Sequence, residues 1–165
     1  MFTLKSLSVK GIPAALEKAE RYRLLNDPKE AESICLDVLT IDPENQKAVI
    51  SLLLSITDQF GEGASAEVQR ARELLPRIHD TYKRAYYAGI ISERQAKAIL
   101  KQGTPGRQSH AYEWFREAMD HFEKAEAIRP PDNDEAILRW NSCARIIMKY
   151  NLSPRKEEYI EPFLE

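Results

Sequence analysis

Three prolines divide this sequence into stretches whose apolar residues recur at helical spacing. Pro43 and Pro130 end similar phrases, which lie within AESICLDVLTIDPENQKA (residues 31–48) and AMDHFEKAEAIRPPDNDEA (residues 118–136), and Pro76 ends a third stretch. Because a proline inside a helix removes a backbone hydrogen bond and clashes with the preceding turn, each of the three marks a helix end. The intervals of 33 and 54 residues indicate a repeated helical unit, with about 20 extra residues in the second interval.

Helical periodicity covers most of the chain, and the alternating β-branched runs that are typical of strands are absent. We predict an all-α fold of seven helices, joined by loops too short to separate two domains. The expected helix ranges are 12–25, 28–43, 43 or 45–60, 65–75, 77–102, 108–129 and 134–150. The predicted organisation is an N-terminal segment (1–11), one helical domain (12–150) and an acidic C-terminal tail (151–165).

Local signals predict details within these helices. Asp27 and Asp134 precede the second and seventh helices and are expected to cap them. Gly89 lies inside the fifth helix, where glycine costs about 1 kcal/mol relative to alanine. It therefore permits a close helix crossing or marks a bend.

Composition restricts the classes of function. The chain has 165 residues, 43% of them hydrophobic and 30% charged, and its formal net charge is −2. That balance disfavours nucleic acid and anionic membrane surfaces as partners. The densest apolar stretch, Ala48–Leu54, is far short of the roughly 18 residues that span a bilayer, and the N-terminus does not resemble a secretory signal. Cys35 and Cys143 lie in apolar helical stretches, which favours buried thiols in a reducing compartment and a cytoplasmic location.

The repeated unit resembles the tetratricopeptide repeat (TPR) family, whose unit is two antiparallel helices closed by a proline. The family prefers alanine, an aromatic residue and alanine at three places of the second helix. With repeats closed at Pro43, Pro76 and Pro130, these places hold Ala31, Cys35 and Val38, then Ala64, Val68 and Ala71, then Ala118, Phe122 and Ala125. In the first helix Ala19 and Tyr22 fit the family, whereas Ala15 and Lys18 replace a large residue and a leucine.

The resemblance implies a right-handed superhelix of about three stacked helix pairs, followed by a C-terminal capping helix. The third repeat (77–129) contains the extra residues, so its helices are expected to be several turns longer than usual. Two aromatic stripes should pack together across this hairpin, and Tyr87 with Trp114 forms an alternative recognition patch. The stripes are Tyr82, Tyr86 and Gly89 on the fifth helix and Phe115, Met119 and Phe122 on the sixth.

Proteins of this family typically bind a peptide in the concave groove lined by the first helix of each pair. We therefore expect a non-catalytic protein–protein interaction module, such as an adaptor or scaffold; the alternative is a structural subunit whose repeats drive homo-oligomerisation. The predicted partner-binding residues are Glu20, Arg23, Ile50, Leu53, Leu54, Lys83, Arg84, Tyr87, Arg139 and Arg145, with Leu16, Ile91 and Leu138 as further candidates. Their basic members favour an acidic peptide, unless they form a solvated or paired face. Ile50, Leu53 and Leu54 could equally pack beneath the long helices of the third repeat.

Few residues are spaced as catalytic or metal-binding groups require. His79, His110 and His121 have no metal-ligand spacing, and Cys35 has no histidine beside it. We expect no enzyme activity, no metal and no cofactor. Nucleic-acid binding is disfavoured by the net negative charge; its candidate residues are Arg70, Arg72, Arg77, Lys83 and Arg84.

Both terminal segments of the chain contain apolar residues that could dock on a protein surface. Phe2, Leu4, Leu7 and Val9 give the leading segment enough apolar surface to dock, on the chain's own groove or on a second copy. The tail combines four glutamates with Tyr159, Ile160, Pro162, Phe163 and Leu164, a composition that suits a peptide bound by a basic groove, so self-capping or head-to-tail association is a further hypothesis. The sequence leaves both docking places open.

Overall fold

The computed structural model of the chain describes residues 1–61, 65–103 and 105–156. Over these ranges it contains seven α-helices and no strand, which confirms the predicted all-α class and the number of helices. They are α1 (Ile12–Leu24), α2 (Pro28–Ile41), α3 (Gln46–Thr57), α4 (Ser65–Leu74), α5 (Thr81–Lys101), α6 (Arg107–Ala127) and α7 (Glu135–Lys149). The predicted alanine place at Ala64 and the tail from residue 157 lie outside the described residues.

A side-chain hydrogen bond sets the start of α5, whereas Asp27 and Asp134 directly precede α2 and α7 as predicted but lack the expected capping hydrogen bonds. The Asp80 carboxylate accepts a hydrogen bond from the Lys83 N–H at 2.9 Å, so α5 begins at Thr81. Arg77, which was predicted to open this helix, lies instead in a short 3₁₀ turn, Leu75–Arg77. Neither Asp27 nor Asp134 makes a capping hydrogen bond through its side chain.

Two hydrophobic clusters form the core. The first joins α1–α4 with Ile78 and Ile91, and the second joins α5–α7 with Leu152. Each helix packs against the next one along the chain, while α1 also contacts α3 and α3 also contacts α5. Leu54, Tyr87 and Trp114 pack against both clusters and therefore connect the two groups of helices.

The longest helices are α5 and α6, with 21 residues each, against 10 to 15 in the others. Their extra length confirms the expectation of extended helices after Pro76. The two aromatic stripes lie in the second cluster, where the rings of Tyr86 and Phe122 are 5.8 Å apart between centroids. Aromatic and apolar side chains thus fill the space between these helices, as the spacing predicts.

Gly89 permits a close approach of α6 to α5. A Cβ atom at this position would lie 2.5 to 2.9 Å from three carbons of the Phe122 ring, which is fully buried. Carbon atoms pack at about 3.5–4.0 Å, so there is no room for a methyl group unless the ring moves. Of the two sequence-based alternatives, the structure supports the close crossing.

Substitution Gly89→Ala should therefore destabilise the protein although alanine favours helix. Overpacking of a core costs about 1–3 kcal/mol, whereas the gain in helix propensity is about 1 kcal/mol. We expect a net loss of up to about 2 kcal/mol in the free energy of unfolding, measured by urea denaturation followed by circular dichroism. The same substitution in a Phe122→Leu background is the control, because the smaller side chain makes room for the methyl group. An equal loss in both backgrounds would contradict the close-crossing explanation.

Candidate functional site

A concavity of about 470 Å³ lies along α1 and α3, with Tyr87 of α5 at its border; we name it the groove. Helix α1 contributes Pro13, Leu16, Glu17, Glu20 and Arg23, and α3 contributes Lys47, Ile50, Ser51 and Leu54. Steps of three and four residues place each set on one face of its helix. The apolar lining side chains are only partly buried, so the groove offers apolar surface to a ligand.

Half of the predicted partner-binding residues lie in this groove. Glu20, Arg23, Ile50, Leu54 and Tyr87 line it. They come from three helices that are far apart in sequence, and the contacts of α1 with α3 and of α3 with α5 bring them together. Leu16, a further candidate, lines the groove as well.

The other predicted residues lie elsewhere. Leu53 is fully buried in the first core cluster, so it supports the fold and is closed to a partner. Arg84 donates two hydrogen bonds to the Ile78 carbonyl and borders a different concavity. Arg139 pairs with Glu93 at 3.4 Å. Lys83 and Arg145 are exposed, on α5 and α7, and neither lines the groove.

Three charged side chains connect α1, α3 and α5 at one end of the groove. The Asp58 carboxylate, directly after α3, accepts hydrogen bonds from Arg23 at 2.7 Å and from Arg94 at 3.1 Å. All three side chains are one third exposed or less, so water screens their interactions only in part. The guanidinium of Arg23 is therefore committed to the fold, and it is not a free anchor for a ligand.

The charge of the groove differs from the sequence-based expectation. Its α1 wall carries the exposed carboxylates Glu17 and Glu20, and its α3 wall carries Lys47. With Arg23 bound to Asp58, the groove presents mixed charge, and the basis for expecting an acidic peptide there is lost. We predicted a basic groove because Arg84 was expected to face it. Sequence spacing does not reveal which face of α5 a residue occupies, and Arg84 borders the other concavity.

Several residues of this region were missed by the sequence analysis. Glu17 and Lys47 each lie three or four residues from a predicted groove residue, so helical spacing could have found them. Asp58 and Arg94 had no such signal, because their contacts join residues 35 and 36 positions apart. Only the packing of the helices determines these contacts.

A buried carboxylate lies between α5 and α7. The Glu93 side chain is completely buried, with Lys97 at 3.5 Å and Arg139 at 3.4 Å from its Oε2 atom. The Cys143 thiol donates to Oε1 at 3.6 Å. Burial raises the pKa of Cys143 to about 12, with a further contribution from Glu93, and burial also raises the pKa of Cys35. Both thiols are therefore protonated at neutral pH, a state in which cysteine is a poor nucleophile.

The histidines lie in separate environments. His79 pairs with Glu44 at 2.7 Å on the surface. Burial lowers the pKa of His121, and the carboxylate of Glu117 offsets part of that effect. Over the described ranges there is no group of three or more histidine, cysteine or acidic side chains that could hold a metal ion.

None of the described helices combines the length and the apolar character needed to cross a membrane. Comparison of the chain with protein-family models, with curated proteins and with solved structures finds no match.

Asp58→Asn should weaken the connection between the three helices. The substitution keeps the shape of the side chain but removes the charge between two arginines, and hydrogen bonds to charged groups contribute about 1.5–3 kcal/mol when well formed. Since the site is partly exposed, we expect a loss of about 1–2 kcal/mol in the free energy of unfolding by urea denaturation.

The matched control is Asp27→Asn, at an exposed carboxylate that makes no capping hydrogen bond. It should change the unfolding free energy by less than about 0.5 kcal/mol. Equal effects of the two substitutions would show that the ion pairs of Asp58 with Arg23 and Arg94 add nothing to stability.

Proposed function

We propose that this chain is a non-catalytic protein–protein interaction module of TPR-like architecture, which binds a peptide segment of a partner in the groove. The observation that carries the proposal is the partly exposed apolar lining formed jointly by α1, α3 and α5. Exposed apolar concavities rimmed by polar side chains are typical of recognition sites. Its lining runs along α1 from Pro13 to Arg23, and a groove between helices suits an extended or helical peptide.

The burial pattern supports the TPR-like architecture. The places that the family fills with small or aromatic side chains hold buried residues in each second helix: Ala31, Cys35 and Val38 in α2, Val68 and Ala71 in α4, and Ala118, Phe122 and Ala125 in α6. Contacts between α1 and α3 and between α3 and α5 are those expected when the first helices of successive pairs stack side by side. On this arrangement α7 is the capping helix.

The partner that fits the groove is a mainly apolar peptide with few charges. Leu16, Ile50, Leu54 and Tyr87 supply the apolar contact surface. Burial raises the pKa of Tyr87 to about 12, so its hydroxyl is neutral and can donate a hydrogen bond. Strongly acidic peptides are disfavoured because Glu17 and Glu20 stand on the α1 wall.

A peptide-display selection against the intact chain tests this function. Peptides enriched by the wild type should bind a Leu16→Glu variant about tenfold or more weakly, because a carboxylate replaces apolar contact surface in the groove. Leu36→Glu is the matched control: it makes the same change at an exposed leucine of α2 outside the groove. Anisotropy titration gives the affinities, and circular dichroism verifies that both variants fold. Enriched peptides that bind all three proteins equally would refute binding in the groove.

One observation favours the alternative, a structural subunit that associates with itself. Phe2 is 100% exposed and Leu4 is 86% exposed, whereas Leu7 of the same segment packs on the first core cluster. An apolar segment anchored at one point and exposed beyond it is suited to contact with a second copy.

Light scattering over a range of concentrations separates the two functions. For the interaction module, whose chain mass is 19.0 kDa, we expect the wild type and a Phe2→Ser/Leu4→Ser variant to have the same mass at every concentration. A mass that doubles as the concentration rises, and returns to the monomer value in a Phe2→Ser/Leu4→Ser variant, would favour the alternative. The variant leaves Leu7 and the core untouched, so its fold should be unchanged.

A further inference from the structure

A second concavity, of about 670 Å³, lies where α4, α5 and α6 meet; we name it the cationic concavity. It is open to solvent. Its floor is apolar and includes Leu75, Pro76 and Ala88. Arg72, Arg84 and Lys124 also line it, and its lining contains no carboxylate.

The positive charge of this surface is only partly compensated. Arg72 pairs with Glu117 at 3.2 Å. Arg84 donates to the Ile78 carbonyl at 2.7 and 3.0 Å, and a neutral acceptor leaves its charge in place. The ion pairs found across residues 1–61, 65–103 and 105–156 include neither Arg84 nor Lys124. Arg84 and Lys124 therefore stand beside an apolar floor without an ion-pair partner within 4 Å in the described part of the chain.

Such a surface fits a ligand that combines carboxylates with apolar side chains. Carboxylates form charge-assisted hydrogen bonds with arginine and lysine, and the apolar side chains gain from burial on the floor. The chain contains one segment of this composition. Residues 157–165, EEYIEPFLE, hold four glutamates, five apolar residues if Tyr159 and Pro162 are included, and no lysine or arginine.

We propose that the cationic concavity is the docking site of this C-terminal segment, from the same chain or from a second copy. The charges of the two concavities and of the two terminal segments support this pairing over the alternatives. The groove is a poor alternative for it, because Glu17 and Glu20 on the α1 wall repel its glutamates. The N-terminal segment is a poor alternative occupant, because it carries Lys5 and Lys10 and the sequence has no acidic residue before Glu17.

The docking is independent of the function proposed for the groove. The two concavities share no lining residue. A ligand in the groove and the C-terminal segment in the cationic concavity can therefore be bound at the same time, and failure of one site leaves the other testable.

Zero-length cross-linking of the full-length chain tests the docking. A carbodiimide joins a carboxylate to a lysine amine when the two are in contact, and peptide mass spectrometry identifies the joined residues. We expect Lys124 to be joined to at least one glutamate of residues 157–165. The product should be largely lost at about 1 M salt, where charge–charge attraction is screened within about 3 Å. Mixing chains of normal and heavy isotope composition distinguishes docking within a chain from docking between chains, and either result supports the proposal.

Two variants make the test specific. Arg84→Gln keeps a donor for the Ile78 carbonyl but removes one cation, and it should lower the yield of the Lys124 product about threefold. Lys83→Gln is the matched control, since it removes a neighbouring exposed lysine charge that does not line the concavity, and its yield should equal that of the wild type. Circular dichroism verifies that both variants fold.

Three results would overturn the proposal. The first is the absence of any product between Lys124 and residues 157–165 in the wild-type chain. The second is equal coupling of the segment to Lys83 and Lys124, which would indicate nonspecific contact. The third is coupling to Lys47, which would place the segment in the groove.

Discussion

The burial of Leu54, Tyr87 and Trp114 against both core clusters is the interaction on which the arrangement of helices depends. Together with Ile91 of α5, which is buried in the first cluster, these side chains join the four N-terminal helices to the three C-terminal ones. Arg72 covers the Trp114 ring at 5.0 Å while it pairs with Glu117, so a cation from α4 reinforces the same junction. The groove and the cationic concavity both lie beside this junction, since Leu54 and Tyr87 line the first and Arg72 lines the second.

Much of the fold could be predicted from the sequence because its determinants are local. Prolines and the spacing of apolar residues gave the seven helices, and the interval after Pro76 gave the extra length of α5 and α6. The start of α5 was placed four residues early, because residues 75–77 form a 3₁₀ turn and the helix begins only where the Asp80 carboxylate accepts a hydrogen bond from the Lys83 N–H. The packing of Gly89 against Phe122 was one of two open alternatives, because sequence does not give the distance between helices.

The candidate site was predictable only in part. Leu16, Ile50 and Leu54 follow helical spacing, and the structure brings them into one groove. Arg84 was grouped with them because all were thought to face one side, but α5 contacts different helices on different faces, and Arg84 borders the other concavity. The partners of the charged side chains lie tens of residues away, as Asp58 does from Arg23 and from Arg94, and no periodic signal marks such pairs. The sign of the charge on each surface therefore depends on ion pairs between residues far apart in sequence, which the sequence does not reveal.

The buried Glu93 has a consequence for how this chain can vary in length. Its carboxylate is removed from water on α5 and is compensated by Lys97 on the same helix and by Arg139 on α7. Removal of one partner of a buried ion pair leaves an uncompensated charge, which is strongly destabilising. Helix α7 is therefore not independent of α5, because it supplies one of the two cations beside Glu93. Any recombination that replaces α7 must therefore also supply a cation for Glu93 or remove its charge.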